Sequence, residues 1–577
     1  MPHSSCAVHM EFVDVTAIED ATVTTSDNME FGNLALFKDR TEGGSYGTLE
    51  LNQFVLDGSR AEFPDAPDSF GFFSVEKSNV NGGFNSNPKL TVTFTSPHTS
   101  AGIKLFFCDS YPAELMITWY DLYGEKLQAR TYYPDALDCF CKLQVKNYGR
   151  VEIEFVKTAF PERYIKLQYI KYGVEIDWGD DLIISAKMTE EIDVTNETLS
   201  INTAEISIID EENDFDLQNQ NGAWISIQAE QQLRIVEEIE GKTIECGSFF
   251  VSKWRSKDNE ITFSLVDSIG LLDKTNFYDG QIYSGVSAGQ IIDAIMQSAG
   301  LTKYQVDEEV SAIPLSGHLA IQSHREALHQ VCFATGAVAD DSRSDTIRIY
   351  IPARAVSTTI GLDRQFMGAE MELNDYVSDV AITFSRYALN TDEDLAEIYN
   401  DTLPAGVTRI EFTEPYKPDS LTATGGTIQN THTNYCDILM ENAGGCVLNG
   451  RTYDATDCVV RASVEVLDAG ETANIKEYSG LTLLNAEQAR TVADSILNYL
   501  QLRQIVTMEY INEGEGVGVW CNIADTNGYV ATTGMVSQTI DLSGGNLASS
   551  KSRGYSVVVT DCYYTGTELY AGGGGII

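Results

Sequence analysis

The sequence predicts a multidomain protein that is mainly β with a smaller α/β part: an N-terminal β-sandwich followed by two tube-like β-barrels with an inserted α/β module. Three observations predict this fold class. The chain has 577 residues, more than one hydrophobic core usually serves. Short runs in which apolar and polar residues alternate, bounded by Gly, Pro, Asn or Asp, recur along most of the chain. Few segments have the apolar spacing of a helix.

Residues 1–175 are predicted to form the sandwich. The runs "KLTVTFTS", "ELMITWYDLYGEKLQARTYY" and "RVEIEFVKT" alternate and are separated by turn residues, as in the strands of a sandwich. The segments "TLELNQFVLDGS" and "PERYIKLQYIKYG" resemble strands of discoidin-like and carbohydrate-binding jelly rolls. Trp119 and Tyr120 are therefore candidates for stacking on a sugar ring, although aromatic residues in alternating strands also fit a core.

Residues 176–267 are predicted to form the first barrel, from the runs "LIISAKMTEEIDV", "TAEISIID" and "EITFSLVD". Two motifs in this part imitate ligand-binding loops. Gly241 and Lys242 resemble the end of a phosphate-binding loop, but Val236 stands where that loop requires a glycine. Residues 210–216 are rich in acidic side chains. A calcium loop starting at Asp214 would require a glycine at its sixth position, where this chain has Asn219. A hairpin turn and a solvated loop are the better predictions for these two segments.

Residues 268–352 are predicted to form the α/β module, which begins its first helix in "SGVSAGQIIDAIMQSAGL". The stretch matches the G-x-S-x-G pattern of serine hydrolases at Ser287. That pattern needs a buried apolar strand before its first glycine, and the preceding "KTNFYDGQIYSG" is polar. Because Gln290 follows Ser287 by three residues, we expect Ser287 to cap a helix that runs from Ala288 to about Ser298.

The second helix of the module is predicted in "SHREALHQVCFATG", where Ser323 and Glu326 form a second capping pair. His324 and His329 are five residues apart, about 140° around a helix, so they are badly placed to share a metal ion. Together with His318, they are expected at the surface or at an interface.

Residues 353–387 are predicted to begin the second barrel, 388–479 to form an insertion that is mainly β, and 480–577 to supply a helix, the remainder of the barrel and a C-terminal tail. The runs "EMELNDYVSDVAITFSRY" and "GYSVVVTD" predict barrel strands. The segment "NAEQARTVADSILNYLQLRQ" predicts the helix, with Val492, Ile496 and Tyr499 on one stripe.

The composition excludes several classes of function. The formal charge is −47, from 85 acidic and 38 basic residues, and it would repel a phosphate backbone, so specific nucleic-acid binding is not expected. The N-terminus lacks the features of a signal peptide, and no apolar run approaches the ~18 residues of a membrane span, which predicts a soluble chain. Eleven cysteines without a C-x-x-C motif predict buried free thiols. We expect no catalytic residue, no cofactor and no metal.

The order of several segments resembles the tail hub proteins of bacteriophages and prophages. These segments are "GSFFVSKW", "NEITFSLVDSIGLLDK", "SAGQIIDAIMQSAGL", "SHREALHQVCFATGAVADDSRSDTIRIY" and "GMVSQTIDLSGG", within about residues 181–560. The resemblance implies a trimer in which two small barrels per subunit form a ring with six-fold-like symmetry. Such a ring lets a trimeric tail tip dock on a hexameric tail tube and lets DNA pass during infection. Larger members add a peptidase or lysozyme-like domain after the hub, and because none follows here a structural, non-enzymatic hub is expected.

The same resemblance implies the partners and the location. The partners would be two further copies in a homotrimer, a distal tail ring or tail tube protein, the tape-measure protein and a tip fibre or spike protein, all in a virion tail made in the host bacterial cytoplasm. A host cell-wall glycan is a candidate partner of the sandwich. We expect acidic barrel side chains to face the channel in excess, since they would keep DNA from adhering. Two alternatives stay open: a polysaccharide hydrolase, and a cell-wall adhesin with a carbohydrate-binding sandwich.

Overall fold

The computed structural model describes residues 4–13, 15–29, 32–38, 50, 71–211, 213, 215–219, 230–239, 241–391, 395–467, 470–543, 545–558, 562–565 and 568–571. Strands dominate these residues and are divided among many sheets, which confirms the predicted mainly β, multidomain class. Among the described helices, none is long and apolar enough to cross a membrane. The ten cysteines whose side chains the structure describes are all free and most are buried, as predicted.

The strands of the N-terminal part, which we call the sandwich after the prediction, enclose a hydrophobic core of their own. Its elements are β1 (Ser4–Val13), α1 (Val15–Asp20), β2 (Thr22–Thr24), a 3-10 helix (Leu34–Lys38), β3 (Phe72–Phe73), β4 (Lys89–Phe107), β5 (Pro112–Tyr120), β6 (Lys126–Tyr132), β7 (Asp138–Thr158) and β8 (Lys166–Trp178). The long strands β4 and β7 pair with each other through several register shifts. One end of β4 also pairs with β2 and the other with β8, while β5 and β6 extend the sheet beyond β7.

β1 does not belong to the sandwich, although the prediction had placed residues 1–175 there. It pairs with the second half of β8 on one side and with a strand of the following part on the other. The side chains of Val8 and Met10 are fully buried in the core of that following part, which explains the assignment. An alternating strand can join either of two neighbouring β parts, and its pattern alone does not select between them.

The next part is another group of paired strands. Its strands are β9 (Ile183–Glu191), β10 (Thr203–Ile209), β11 (Gln232–Ile239), β12 (Lys242–Lys257) and β13 (Glu260–Val266). The first half of β12 pairs with β11 and the second half pairs with β13, which continues to β10 and β9. We call β1 and β9–β13 the first strand group; the pairings of its described residues leave it open rather than closed as a barrel.

The α/β module follows, and its large core also contains buried side chains from the later residues 380–497. Its elements are α2 (Ser268–Leu271), β14 (Asn276–Phe277), β15 (Ile282–Ser287), α3 (Ala288–Ser298), β16 (Tyr304–Val306), α4 (Glu308–Ser311), β17 (Pro314–His318), β18 (Gln322–Ser323), α5 (His324–Thr335), β19 (Val338–Asp340) and β20 (Ile347–Tyr350). The apolar faces of α3 and α5 pack together, as their sequence periodicity predicts.

The last part of the chain is divided between two structures. Its elements are β21 (Val356–Ile360), β22 (Gln365–Leu373), β23 (Asp379–Leu389), β24 (Ala396–Leu403), β25 (Gly406–Glu411), a 3-10 helix (Pro418–Ser420), β26 (Thr422–Thr424), β27 (Thr427–Thr431), β28 (Tyr435–Met440), β29 (Gly444–Gly450), β30 (Tyr453–Ser463), β31 (Ile475–Leu481), α6 (Ala486–Leu500), β32 (Gln504–Ile511), β33 (Trp520–Ala524), β34 (Tyr529–Asp541), β35 (Leu547–Val558), β36 (Cys562–Thr565) and β37 (Glu568–Ala571). We call β21, β22 and β32–β35 the second strand group, because they pair with one another.

β23 lies outside the second strand group, although the prediction had placed residues 353–387 at its start. It pairs with β30 and β31, and this small sheet packs against α6. Val380, Ile382 and Phe384 of β23 are buried in the core of the α/β module. A strand with one apolar face fits a sheet that is covered by a helix as well as it fits a barrel, so the sequence pattern did not separate these cases.

The insertion between β23 and β30 is a small two-sheet sandwich. One sheet contains β24, β29 and β26, and the other contains β25, β28 and β27. Asn434 attaches the insertion to the α/β module: its buried amide nitrogen donates to the carbonyls of Gly280 and Leu319 at 2.6 and 2.8 Å. The imidazole Nε2 of His318 lies 2.7 Å from the other amide atom, Oδ1 of Asn434.

Candidate subunit interface

Eight strands from the two strand groups form one continuous sheet. Their order is β12, β13, β10, β9, β34, β35, β32 and β22, with the second half of β12 at one end. All seven pairings are antiparallel. The two groups therefore share a sheet rather than merely touching, and we call this unit the joined sheet.

The seam of the joined sheet is the pairing of β9 with β34, more than 300 residues apart in the sequence. On one face, the hydroxyl oxygens of Thr189 and Thr539 lie 3.1 Å apart. On the other face, Met188 and Ile540 lie opposite each other and are almost completely buried. These two residues belong to a single hydrophobic core that contains side chains from both strand groups. Burial of apolar surface on this face therefore holds the two groups together.

A buried polar cluster reinforces the seam. Glu190 of β9 lies opposite Gln538 of β34, and the Gln538 amide nitrogen donates to a Glu190 carboxylate oxygen at 2.5 Å. The Gln538 amide oxygen accepts hydrogen bonds from the Tyr510 hydroxyl at 3.1 Å and the Asn512 amide at 3.2 Å. Glu190 and Gln538 are each 1% exposed, so these partners replace the water that both side chains have lost.

The α/β module contributes the cation of this cluster. Arg343, in the turn between β19 and β20, donates from Nε to Glu190 at 3.1 Å and from Nη2 to the Asn512 side-chain oxygen at 3.3 Å. Burial alone would lower the pKa of the Arg343 guanidinium, but the neighbouring Glu190 raises it above its usual value. Arg343 thus connects three parts of the chain: the module and both strand groups.

Glu237 of β11 is a second buried carboxyl beside Arg343. Burial raises the pKa of Glu237 to about 7, because Asn546 and Arg343 only partly offset the loss of water. In the same region, burial also raises the pKa of Asp340 to about 6. The side of the seam that faces the α/β module is therefore sensitive to protonation near neutral pH.

The two faces of the joined sheet differ sharply. Residues that lie directly opposite each other in antiparallel strands point to the same face, so the register defines a polar face that alternates with the buried one. Serine and threonine recur on the polar face, as in the row Thr189, Thr539 and Ser549. Its charged residues, seven acidic and six basic, are Glu191, Glu205, Glu260, Glu370, Glu372, Glu509, Asp541, Lys187, Lys253, Arg255, Lys257, Lys551 and Arg553.

The joined sheet has an open edge at each end. β22 pairs with β32 alone among the described residues, and its four residues from Glu370 to Leu373 are exposed on both faces. At the other end, the β12 segment 252–257 pairs with β13 and with no other described strand. Exposed edges with free backbone groups are templates for pairing with another chain.

Two arginines fix the β22 edge at its ends. Before the strand, the Arg364 guanidinium donates to both carboxylate oxygens of Glu515 at 2.8 Å. After the strand, Arg503 donates to the Asn374 carbonyl at 3.0 Å. A planar guanidinium with several acceptors holds a backbone segment in one orientation. The edge is thus held in place without a strand on its outer side among the described residues.

The predicted sugar-stacking pair does not form a stacking surface. The ring of Trp119 is fully buried in the core of the sandwich, which corrects the prediction for this residue. Tyr120 is half-buried; its hydroxyl donates to Glu152 at 3.1 Å, and the Arg150 guanidinium lies 4.0 Å from the centre of its ring. The alternation of strand β5 turns the Trp119 ring inward, so it cannot stack on a sugar, and Arg150 lies over the ring of Tyr120.

Ser287, which matches the hydrolase pattern, and Ser323, which precedes His324, are both helix caps. The Ser287 hydroxyl accepts a hydrogen bond from the backbone N–H of Gln290 at 3.4 Å, and α3 begins at the next residue, as predicted. The Ser323 hydroxyl accepts from the backbone N–H of Glu326 at 3.1 Å and caps α5 in the same way. Both residues have the extended backbone that an N-cap requires.

The three predicted histidines all lie at contacts between elements, but two of them are buried rather than at the surface. His318 is in the contact with Asn434, and burial lowers the pKa of its imidazole. His324 is bonded to Thr275 at 2.9 Å and to Ser298 at 3.0 Å. Nε2 of His329 lies 2.8 Å from the Asn196 carbonyl oxygen. No group of residues able to hold a metal ion occurs in the described ranges.

The residues that build the seam were not identified from the sequence. Glu190 and Gln538 are 348 positions apart, and each looks like an ordinary polar residue in an alternating strand. A signal did exist at Arg343: the polar turn "DDSRSD" between two apolar strands contains one arginine among acidic residues. Its partners depend on tertiary structure and could not be read from that pattern.

Comparisons with known proteins find similarity only at the level of solved structures. No protein-family model and no curated protein matches the chain. Solved structures do match, and those similar to the chain include two prophage tail proteins and a tail protein from Neisseria meningitidis. The function proposed for this protein is supported by contacts within its own chain and not by these low-identity similarities.

Three of these structures give the extent of the similarity. A tail protein from Neisseria meningitidis has a TM-score of 0.40 at 10% identity and covers 66% of this chain and 93% of that chain. The 43 kDa tail protein of prophage MuSo2 from Shewanella oneidensis has a TM-score of 0.36 at 12% identity and covers 64% and 93%. A prophage tail protein from Listeria monocytogenes has a TM-score of 0.37 at 8% identity and covers 66% and 91%.

Proposed function

We propose that this protein is the structural hub of a bacteriophage or phage-like tail. Three copies would form a ring that adapts a hexameric tail tube to the tail tip and lets DNA pass through its centre. The observation that carries the proposal is the joined sheet: each chain holds two strand groups in one sheet with an open edge at each end. Three such chains would present six strand groups, the number that a six-fold tube requires.

The polar face of the joined sheet would line the channel. A sheet with one buried and one polar face must turn its polar face to water, and the centre of a ring is filled with water. This lining would not have the excess of acidic residues expected from the sequence, because the polar face holds seven acidic and six basic residues. A nearly balanced lining rich in serine and threonine would neither bind DNA tightly nor repel it strongly.

The partners follow from this position in the tail. The ring would contact a distal tail ring or tail tube protein on one side and a fibre or spike protein on the other, with the tape-measure protein passing through it. The role is structural and non-enzymatic: Ser287 is engaged as a helix cap. The protein would be assembled into virion tails in the host cytoplasm.

The N-terminal sandwich is the proposed contact with a host cell-wall glycan or with another tail protein. If it binds a glycan, the most exposed rings that can reach it are those of Tyr123 in the β5–β6 turn and Tyr133 after β6, which are 96% and 73% exposed. A pull-down of the protein on purified cell walls tests this role. Y123A together with Y133A should reduce retention, and Y120F should not.

The hub proposal is tested by imaging and by mass. Negative-stain or cryo-electron microscopy of the purified protein should show rings with a central channel. Native mass spectrometry should show a species of three times the 63.5 kDa chain. A protein that stays monomeric at micromolar concentration, alone and with its tail tube protein, would contradict the hub role.

A further inference from the structure

We propose that β22 of one copy pairs, edge to edge, with the 252–257 segment of β12 in a second copy. This inference rests on the proposed ring and identifies the surfaces through which its subunits meet. The partner is therefore a second copy of this chain, joined head to tail rather than by a two-fold contact. Three observations on the two edges lead to this assignment.

The first observation is the direction of the strands. Seven consecutive antiparallel pairings separate β12 from β22, so the first and the eighth strand of the joined sheet run in opposite directions. A rotation about a channel axis carries β12 of the second copy beside β22 of the first without reversing it. The new neighbours are then antiparallel, and the ladder can continue across the boundary with the hydrogen bonds that all other pairs use.

The second observation is the charge on the polar face. β12 presents Lys253, Arg255 and Lys257 at alternate positions, and all three are exposed. β22 presents Glu370 and Glu372 at alternate positions, also exposed. Among the described residues no ion pair involves any of these five side chains. Opposite charges placed directly across two antiparallel strands attract, and like charges there repel.

The basic stripe has one acidic neighbour within its own chain. Glu260 of β13 lies opposite Lys257 in the ladder. Lys253 and Arg255 lie opposite Ser264 and Thr262, which carry no charge. At least two positive charges thus remain to face Glu370 and Glu372 in a chain whose formal charge is −47.

The third observation is the apolar side of the same two edges. Met371 and Leu373 project on the core side of β22, yet they are 40% and 63% exposed because the core ends there. Trp254 lies at the other end of that core and is only partly buried. Placing β22 beside β12 would cover Met371 and Leu373 with the rim that contains Trp254, and would continue the hydrophobic core from one copy into the next.

Charge reversal tests the assignment. The first variant carries K253E, R255E and K257E, and the second carries E370K and E372K. In each variant both edges have the same sign, so the dissociation constant of the trimer should rise about tenfold or more in native mass spectrometry and sedimentation. A third variant combines all five substitutions, which restores opposite signs and should restore the trimer.

Matched controls separate this effect from changes in net charge and in folding. K303E together with R490E reverses two exposed basic residues away from both edges and should leave the trimer intact. Circular dichroism spectra and melts, measured at concentrations where the protein is monomeric, should show that every variant remains cooperatively folded. The combined variant should also fail to form mixed trimers with the wild-type chain, since their edges repel.

The outcomes distinguish this inference from the ring proposal. If the wild-type chain does not form a trimer, the proposed hub fails. If the wild-type chain is a trimer and either charge-reversed variant assembles with unchanged affinity, the edge pairing is wrong. If both variants dissociate but the combined variant does not recover, the two edges do not face each other, and the inference is overturned while the ring stands.

Discussion

The seam and the open edges of the joined sheet are two versions of one kind of contact. At the seam, β9 and β34 pair within a chain, with Met188 against Ile540 on one side and buried Glu190 and Gln538 between them. At the edges, β12 and β22 present the same alternation of polar and apolar residues, but their charges are exposed and their apolar side chains are only partly covered. The seam therefore depends on buried groups, whereas contacts at the edges would depend on screened surface charge.

The strongest way to break the seam is to remove its cation. Arg343→Ala leaves Glu190 buried without its ion pair, and breaking a buried pair in this way costs about 3–5 kcal/mol. We expect the thermal transition that includes the two strand groups to move to clearly lower temperature. Differential scanning calorimetry of the full chain measures it.

A surface pair provides the comparison for that variant. Lys303 and Asp345 form an ion pair of similar length, but both side chains are more than half exposed. Lys303→Ala should therefore change stability by no more than about 1 kcal/mol. Equal losses for the two variants would show that the seam does not depend on its buried charge.

The sandwich tests whether the effect is confined to the seam. Trp119→Ala removes a fully buried indole from a separate core, which costs about 3–5 kcal/mol. The transition of the sandwich should fall, while the trimer and the transition of the strand groups stay unchanged. Loss of cell-wall binding by Trp119→Phe, with the sandwich still folded, would contradict the buried role of Trp119.

Added salt should weaken the contact between the exposed edges much more than the buried contact at the seam. Raising the ionic strength from about 0.1 to 1 M shortens the screening length from about 10 to 3 Å and weakens exposed charge pairs much more than buried ones. We expect the trimer to dissociate more readily at high salt, while calorimetry of the monomer shows little loss at the seam. Sedimentation velocity at the two salt concentrations measures the first effect.

Local features of this fold could be predicted from the sequence, and long-range ones could not. The caps Ser287 and Ser323 follow from spacings within four residues, so the starts of α3 and α5 were predicted correctly. β1 and β23 were assigned to the wrong neighbours because an alternating strand carries no label for its partner. The seam could not be predicted, because Glu190 and Gln538 are 348 positions apart and meet only in the folded structure.

pH is expected to change stability at the side of the seam that faces the module. The pKa of Glu237 is raised by burial to about 7, above its ordinary value of 4.5. The folded state therefore holds a proton that the unfolded state has lost, and the stability present below pH 4.5 is lost as pH rises to about 7, at up to about 1.4 kcal/mol per pH unit. Glu237→Gln should flatten this slope in denaturation curves recorded from pH 4.5 to 8. An unchanged slope would mean that Glu237 does not titrate in this range.

The smallest effect is expected at the first cap of the α/β module. Ser287→Ala removes the acceptor for the Gln290 N–H and should reduce stability by about 1 kcal/mol, whereas Ser287→Asp, another good N-cap residue, should retain most of it. Neither variant should alter trimer formation. Labelling of the wild-type protein at Ser287 by an active-site phosphonate would instead support the hydrolase alternative.

The mass of the purified assembly tests the central claim most directly. If the joined sheet is a segment of a closed ring, native mass spectrometry of the wild-type chain will show three copies of the 63.5 kDa subunit, and the β22 charge reversal E370K with E372K will raise the dissociation constant of this trimer about tenfold or more. A wild-type protein that remains a single chain at every concentration, or a trimer that is indifferent to the charge of both edges, would contradict the account of how this protein assembles.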